Sequence, residues 1–332
     1  MAALTEFELI DRFFRRPAKN SAAETADSTV LGIGDDAALL SPTFGHQLAA
    51  SVDMLVAGRH FFADADPESL GHKTLAVNLS DMAAMGATPR WALLAGALPD
   101  ADANWLDAFS RGFFALAAAH AVDLVGGDTT RGPLNLCVTI LGEVPAGKAI
   151  LRSGARPGDS IWVSGVLGDA SLALAHVAGR LVLSPEEALA CQGALLRPVP
   201  RVALGIGLRD LASAAIDISD GLVGDLGHIL AASQVGATVE LAAVPRSPTL
   251  DRALNGAARD VALQCLLAGG DDYELCFTAA PADDSRIAAL ASALGLALQR
   301  VGTVVVERGL IVRDGSGKPL AALPRAYDHF AP

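Results

Sequence analysis

Residues 66–89 read DPESLGHKTLAVNLSDMAAMGATP, and both ends of a helix are written into them. Asp66 is placed to cap the first turn. Pro67 suits the first helical position, where a backbone N–H would go unbonded anyway, and Gly86 followed by Pro89 stops the run. The predicted helix covers 67–85. Its body is Leu, Ala, Val and Met apart from one polar line: Thr74, Asn78 and Asp81 recur at i, i+4 and i+7 and share a face. A cavity wall and a solvent face are equally good readings of that line from the sequence.

Around this helix, apolar runs bounded by Gly, Pro and Asp alternate with further helical patterns, which makes the chain α/β. Strands are predicted near 47–53, 121–126, 134–144, 159–164, 213–218, 237–242, 273–278 and 300–313, and helices over 103–119, 169–179, 200–211, 221–233 and 285–294. A chain of 332 residues exceeds what one core usually holds, so two domains are expected. The stretch VPAGKAILRSGARPGD at 144–159 is dense in Gly and Pro and is the predicted connection, giving domains of 1–148 and 149–332.

Composition narrows the class. Apolar residues make up 52% and charged residues 19%, which excludes disorder. A net charge of −12 leaves no broad basic surface for nucleic acid. Acids interrupt the apolar residues of MAALTEFELIDRFFRR, so no secretory signal is read there, and no run approaches the ~18 apolar residues of a membrane span. Cys137, Cys191, Cys265 and Cys276 lack ligand spacing, lie in apolar neighbourhoods and read as buried thiols of a reducing compartment. The expectation is a soluble cytoplasmic protein with neither a nucleic-acid nor a membrane partner.

The chemistry has to be found among several decoys. Gly142 to Lys148 has the GxxxxGK spacing of a P-loop, but Ala149 follows where a hydroxyl should ligate Mg²⁺, and no long helix follows to cradle phosphates. LGIGDD at 31–36 lacks the third glycine of a dinucleotide fingerprint. No histidine pair has ligand spacing and no nucleophile stands out. What recurs is aspartate, 27 against 10 glutamates, at the ends of apolar runs: GIGDD (Asp35, Asp36), ASVD (Asp53), LVGGD (Asp128), AIDISDG (Asp217, Asp220) and AGGDD (Asp271, Asp272). Singly these are turn and cap residues. As a set with Asp81 they point to a site. Two carboxylates ~4 Å apart repel by ~1 kcal/mol in water and ~4 kcal/mol at an effective dielectric of 20, so cations must compensate. Oxygen ligands without His or Cys suit Mg²⁺, which joins carboxylates to substrate phosphates and supports phosphoryl transfer.

The blocks GIGDDAALL, SVDMLVAGRHF, AVNLSDMAAMGATPRW, LVGGDTTRGPL, RSGARPGD, AIDISDGLVGDLGH, GGDDYELCF and YDHF resemble, in order from about residue 6 to residue 330, the thiamine-monophosphate kinase family. That family belongs with aminoimidazole ribonucleotide synthetase. The resemblance implies a two-domain fold of that type, with an N-terminal Mg²⁺- and ATP-binding domain whose sheet forms a homodimer and a C-terminal α/β domain completing the ATP and thiamine phosphate site. It implies ATP-dependent phosphorylation of thiamine monophosphate to thiamine diphosphate by direct in-line transfer, with several Mg²⁺ ions and with K⁺ as a candidate monovalent ion. By motif match, Asp36, Ser51, the Val52 main chain, Asp53, Asp81, Asp128, Asp217 and Asp220 correspond to metal ligands. Gly127, Asp128, Arg152, Ser219 and His120 correspond to ATP contacts, and His60, Asp271 and Tyr327 to substrate contacts. Asp35 is read as holding the turn.

Three residues depart from the family pattern: Val52 where Thr is frequent, Asp271 where Glu is usual, and His120 where Tyr is common. The alternatives are another ATP-dependent synthetase of the superfamily and a non-catalytic nucleotide-binding regulatory module. A selenophosphate synthetase is expected to carry a reactive cysteine near the N-terminus, whereas the first cysteine here is Cys137. A hydrogenase-maturation relative is expected to end in a cysteine-bearing tail, and this sequence ends YDHFAP.

Overall fold

The computed structural model describes residues 5–15 and 28–325. The chain divides into two compact units, Met1–Met82 with Ala87–Gly147, and Ala83–Gly86 with Lys148–Pro332.

The first unit contains α1 (Glu6–Leu9), which continues as a π-helical turn over Ile10–Phe14, then β1 (Thr29–Leu31), β2 (Leu39–Leu40), β3 (His46–Val56), α2 (Pro67–Ala84, its last turn passing into the second unit), β4 (Thr88–Leu98), α3 (Ala103–Ala119), β5 (Asp123–Arg131) and β6 (Asn135–Pro145). The main sheet has the order β3-β6-β4-β5, and only β4 and β5 are parallel, joined by the crossover helix α3. One side of the sheet is buried through Leu55, Leu94, Val138 and Ile140. On the other side Leu48, Val52 and Met54 of β3 remain more than half exposed.

Helices α2 and α3 cross at glycines: a Cβ on Gly71 would stand 2.0 Å from the Phe109 carbonyl oxygen, and one on Gly112 1.8 Å from that of Glu68. This approach buries α2 on nearly all sides. Thr74 and Asn78 are 1% exposed, neither in a cavity wall nor at solvent. The Thr74 hydroxyl donates to the Leu70 carbonyl at 2.7 Å and the Asn78 amide N–H to that of Thr74 at 3.1 Å, so the helix's own backbone takes up these donors, while the buried Asn78 Oδ1 has no hydrogen-bond partner among the described residues.

Strand β4 is absent from the sequence-based assignment, although it lies between β6 and β5. Pro89 reads as a helix stop, and here it stands at a register shift between Pro89 and Trp91, a place where a strand tolerates a missing N–H.

The second unit contains β7 (Ser160–Ser164), α4 (Asp169–Val177), α5 (Pro185–Leu196), α6 (Val202–Gly207), β8 (Ala212–Ile218), α7 (Leu222–Ser233), β9 (Gly236–Glu240), α8 (Pro248–Leu254), α9 (Arg259–Ala268), β10 (Glu274–Ala279), α10 (Asp284–Leu294), β11 (Leu298–Val305) and β12 (Gly309–Arg313). Its six-stranded sheet has the order β12-β9-β11-β7-β10-β8 and is antiparallel except for β12 with β9. The core packs Ile161, Val163, Ile216 and Cys276 of the strands against Leu226 and Ile229 of α7. The single strand predicted over 300–313 is two, because residues 306–308 turn the chain. Helix α5 was passed over in the sequence although its signal is local: Ser184 and Glu187 form a capping box with Pro185 at the first position. Among the described residues no helix is long and apolar enough to cross a membrane.

Candidate active site

In the first unit the acids gather in two groups. Alternation along β3 sends Ser51 and Asp53 toward the buried side of the sheet, where Asp81 of α2 meets them. The Ser51 hydroxyl donates to Asp81 Oδ2. Asp53 and Asp81 stand close enough for their carboxyls to couple. Burial, then the Asp81 charge and a hydrogen bond to Asp81, push the Asp53 carboxyl up to about 7. Asp53 therefore stands in mid-strand and not at the strand end that the sequence suggests.

The second group lines a cavity of about 820 Å³ that includes Asp35, Asp36, Gly127, Asp128, Cys137 and Thr139. Asp35 Oδ1 accepts the Asp36 N–H at 2.9 Å and so braces the turn. The Arg15 guanidinium donates to the Ile33 carbonyl at 3.2 and 3.0 Å and to Asp11 at 2.8 Å, tying the N-terminal helical segment to the same loop. Gly127 has φ +147°, and a Cβ there would lie 1.8 Å from the Leu94 carbonyl oxygen, so no other residue fits. Cys137, expected buried, is only half-buried; burial and then the Asp53 charge raise its thiol above the ordinary value.

Gly142 lies within β6 and Gly147 in the turn after it, with its N–H on Gln47 Oε1 at 3.2 Å. That backbone geometry is a strand and a turn, not a phosphate loop. His60, in the turn after β3, accepts the Val56 N–H on Nδ1 at 3.0 Å, which leaves the ring proton of the neutral form on Nε2. Val52 carries its side chain on the uncovered face.

His120 is not brought to the cavity. It is the C-cap of α3 beside His72, three residues before β5 begins, and is not among the residues lining the cavity. Burial, then His72, lower its pKa.

In the second unit Ser219, Asp220 and Asp271 come together where β8 ends and β10 begins. The Asp271 N–H donates to the Ser219 carbonyl at 2.9 Å and the Tyr273 N–H to that of Ile218 at 2.8 Å. Asp271 has φ +69°, and its Oδ1 accepts the Tyr273 hydroxyl at 3.1 Å. Asp217 is 6% exposed within β8, opposite Leu275.

The segment holding Arg152 runs beside β8, where the Leu151 carbonyl accepts the Ala215 N–H at 3.0 Å, and is pinned at Ser233, whose hydroxyl oxygen accepts the Gly154 and Ala155 N–H groups at 3.1 Å each. Tyr327 lies outside the described residues.

Sequence reasoning missed Asp225, whose Oδ2 accepts three consecutive backbone N–H groups, those of Ser219, Asp220 and Gly221. Burial outweighs those bonds and pushes this carboxyl up to about 6. Its one local signal is an acid among apolar residues in the first turn of α7. Asp272, half-buried, accepts the Gly168 N–H on both oxygens at 2.9 and 3.0 Å at the start of α4.

The donor set suits a hard cation. Ser51, Asp53 and Asp81 crowd oxygen ligands where burial and then the neighbouring Asp81 charge favour a proton on Asp53, and a divalent ion would relieve the repulsion between the two carboxylates. Among the described residues no three His, Cys, Asp or Glu side chains form a ready-made metal group.

Comparison with known proteins matches both units. The model of the AIR synthase related protein, N-terminal domain, covers residues 34–144, and that of the C-terminal domain covers 156–315. A thiamine-monophosphate kinase from Salmonella typhimurium is 46% identical over 99% of both chains. The crystal structure of thiamine-monophosphate kinase from Stenotrophomonas maltophilia K279a has a TM-score of 0.85 at 47% identity, covering 96% of this chain and 99% of that one. The structure of AaThiL complexed with AMPPCP and TMP has a TM-score of 0.76 at 29% identity, covering 98% and 97%. With both fold modules matched and near-full-length identity well above what fold alone requires, the chain belongs to the thiamine-monophosphate kinase family.

Proposed function

We infer that this enzyme transfers the γ-phosphate of ATP to thiamine monophosphate, giving thiamine diphosphate. The observation that carries the reading is the 46% identity across 99% of both chains with a named kinase of this activity. The acceptor oxygen is a phosphate oxygen, already ionised at neutral pH, so the chain needs no strong general base. Its task is to hold two polyanions in line and to keep water away.

The residues assigned to that task in the first unit are Asp36, Ser51, the Val52 carbonyl, Asp53, Asp81 and Asp128 for Mg²⁺, and Gly127 and His120 for the nucleotide. In the second unit they are Asp217 and Asp220 for Mg²⁺, and Ser219 and Arg152 for the nucleotide, with the planar guanidinium suited to phosphate oxygens. His60, Asp271 and Tyr327 are assigned to thiamine monophosphate. Bound Mg²⁺ supplies charge neutralisation and alignment of the phosphates. Gly127 lets β5 lie close against the Leu94 backbone, and the Asp35 brace and the Arg15 clamp hold the Asp36 loop at the cavity rim. The test is formation of thiamine diphosphate from the monophosphate with ATP across a range of Mg²⁺ and K⁺ concentrations. Stoichiometric product is expected; ATP bound without turnover would replace this reading by a regulatory nucleotide-binding module.

The exposed side chains of Leu48, Val52 and Met54 support a homodimer formed through the uncovered sheet face, since large apolar side chains at 53%, 59% and 54% exposure on one strand are the mark of an interface. Sedimentation should give a dimer, and the Leu48→Lys, Met54→Lys double variant a monomer; a monomeric parent would remove the proposal. Free thiols in all four cysteines and the use of ATP support a cytoplasmic location.

A further inference from the structure

The turn at the end of β8 is held by an acid with no assigned role. The N–H groups of Ser219, Asp220 and Gly221 converge on Asp225 Oδ2 at 3.0, 3.0 and 3.1 Å. Asp225 stands in the first turn of α7 and is 3% exposed. Consecutive amides converging in this way form a nest, the backbone geometry that elsewhere receives a phosphate oxygen. Here the chain's own carboxylate fills it. The amides of this turn are therefore not available to a nucleotide, and the groups it has left to present are the Ser219 hydroxyl and the Asp220 carboxylate.

The turn is constrained from its other sides as well. Asp271 N–H holds the Ser219 carbonyl at 2.9 Å. Gly221 has φ +108°, and a Cβ on it would lie 2.6 Å from the Ala268 carbonyl carbon. With the strand fixed before it, the helix after it and Ala268 packed against it, the turn's remaining backbone donors are taken up by Asp225.

We propose that Asp225 is a positioning residue for phosphoryl transfer: by filling the amide nest it fixes the backbone from which Ser219 meets the nucleotide and Asp220 meets Mg²⁺. The proposal rests on the reading of Ser219 and Asp220 as nucleotide and metal contacts.

The test uses the full chain. Asp225→Asn keeps an acceptor oxygen for the three amides, and Asp225→Ala removes it. Binding of Mg²⁺ with a non-hydrolysable ATP analogue is measured by calorimetry, alongside the Mg²⁺ half-saturation of turnover. Loss of the nest should weaken binding about tenfold in Asp225→Ala, with Asp225→Asn within about threefold of the parent. A folded Asp225→Ala protein that binds within about twofold of the parent, on the same scale, overturns the proposal. Should Asp225→Ala fail to fold, amide hydrogen exchange in the parent decides: the three N–H groups of the turn are expected to be protected, and exchange at the free-chain rate overturns it. Asp220→Asn separates the two layers. If Asp220→Asn weakens binding and Asp225→Ala does not, Asp225 has no positioning role; if Asp220→Asn leaves Mg²⁺ dependence unchanged, the underlying assignment of Asp220 fails and takes the proposal with it.

Discussion

Asp53→Asn will slow thiamine diphosphate formation by at least about a hundredfold while leaving the metal-free protein no less stable than the parent at neutral pH. The two effects have one cause. Asp53 is held beside Asp81 and partly buried, so its carboxyl is raised from an ordinary 3.8 to about 7. That proximity suits the proposed cation and costs the protein when none is bound. The sign follows from proton counting: between about 4 and 7 the folded state keeps a proton on Asp53 that the unfolded chain has released. Stability of the metal-free protein therefore falls as pH rises through that window. The contribution is absent below it and the penalty is complete above it. Asparagine cannot ionise, so its variant loses this part of the pH dependence. Thermal melts in chelator across the window, with turnover assays at saturating ATP and Mg²⁺, measure both. A variant within tenfold of parental turnover, or one with the parental pH slope of stability, would contradict the assignment of Asp53 to the metal group.

Arg201→Ala should do the reverse, unfolding the second unit more readily without touching a ligand contact. Glu274 is 5% exposed at the start of β10, and its carboxylate accepts Arg201 Nε–H at 2.7 Å, Arg201 Nη2–H, and the Ser164 hydroxyl. The same Ser164 oxygen takes the Leu275 N–H at 2.9 Å. Removing the guanidinium leaves a buried carboxylate with one hydroxyl for company, a change that typically costs about 3–5 kcal/mol and lowers the melting temperature on the order of 10 °C for a unit of this size. The Arg201→Met, Glu274→Leu double variant should recover much of the loss, because a buried pair replaced by apolar side chains no longer pays for desolvation. A melting temperature for Arg201→Ala within about 2 °C of the parent would show that water reaches Glu274 and that the pair is not structural.

How far the site is legible along the chain varies with the kind of contact. Asp35 bracing Asp36 is a neighbour effect, and Asp66 accepting the Ser69 N–H at 2.8 Å is a capping pattern; both depend on residues a few positions apart. The polar line of α2 is equally plain as a pattern but not as an environment. Thr74 and Asn78 differ from Asp81 only in what the glycine-mediated crossing with α3 and the edge strand β3 put next to them. His120 and Arg152 show the opposite limit: their surroundings, His72 and the C-terminus of α3 for one and the Ser233 anchor for the other, depend on residues far away in the chain.

By itself the sequence determined the ends of α2, the recurrence of aspartate at the ends of apolar runs, and the ordered blocks that mark the family. These are local or additive properties, and no tertiary contact is needed to read them. The tertiary structure alone decided that β4 threads between β6 and β5, that Asp81 of α2 comes up against Ser51 and Asp53 of β3, and that Asp225 closes the turn bearing Ser219 and Asp220. Each of these depends on which backbone or charge comes within about 3 Å, the range in which a hydrogen bond or a carboxyl pair acts. Periodicity fixes the face a residue presents; packing of one element on another chooses what that face meets.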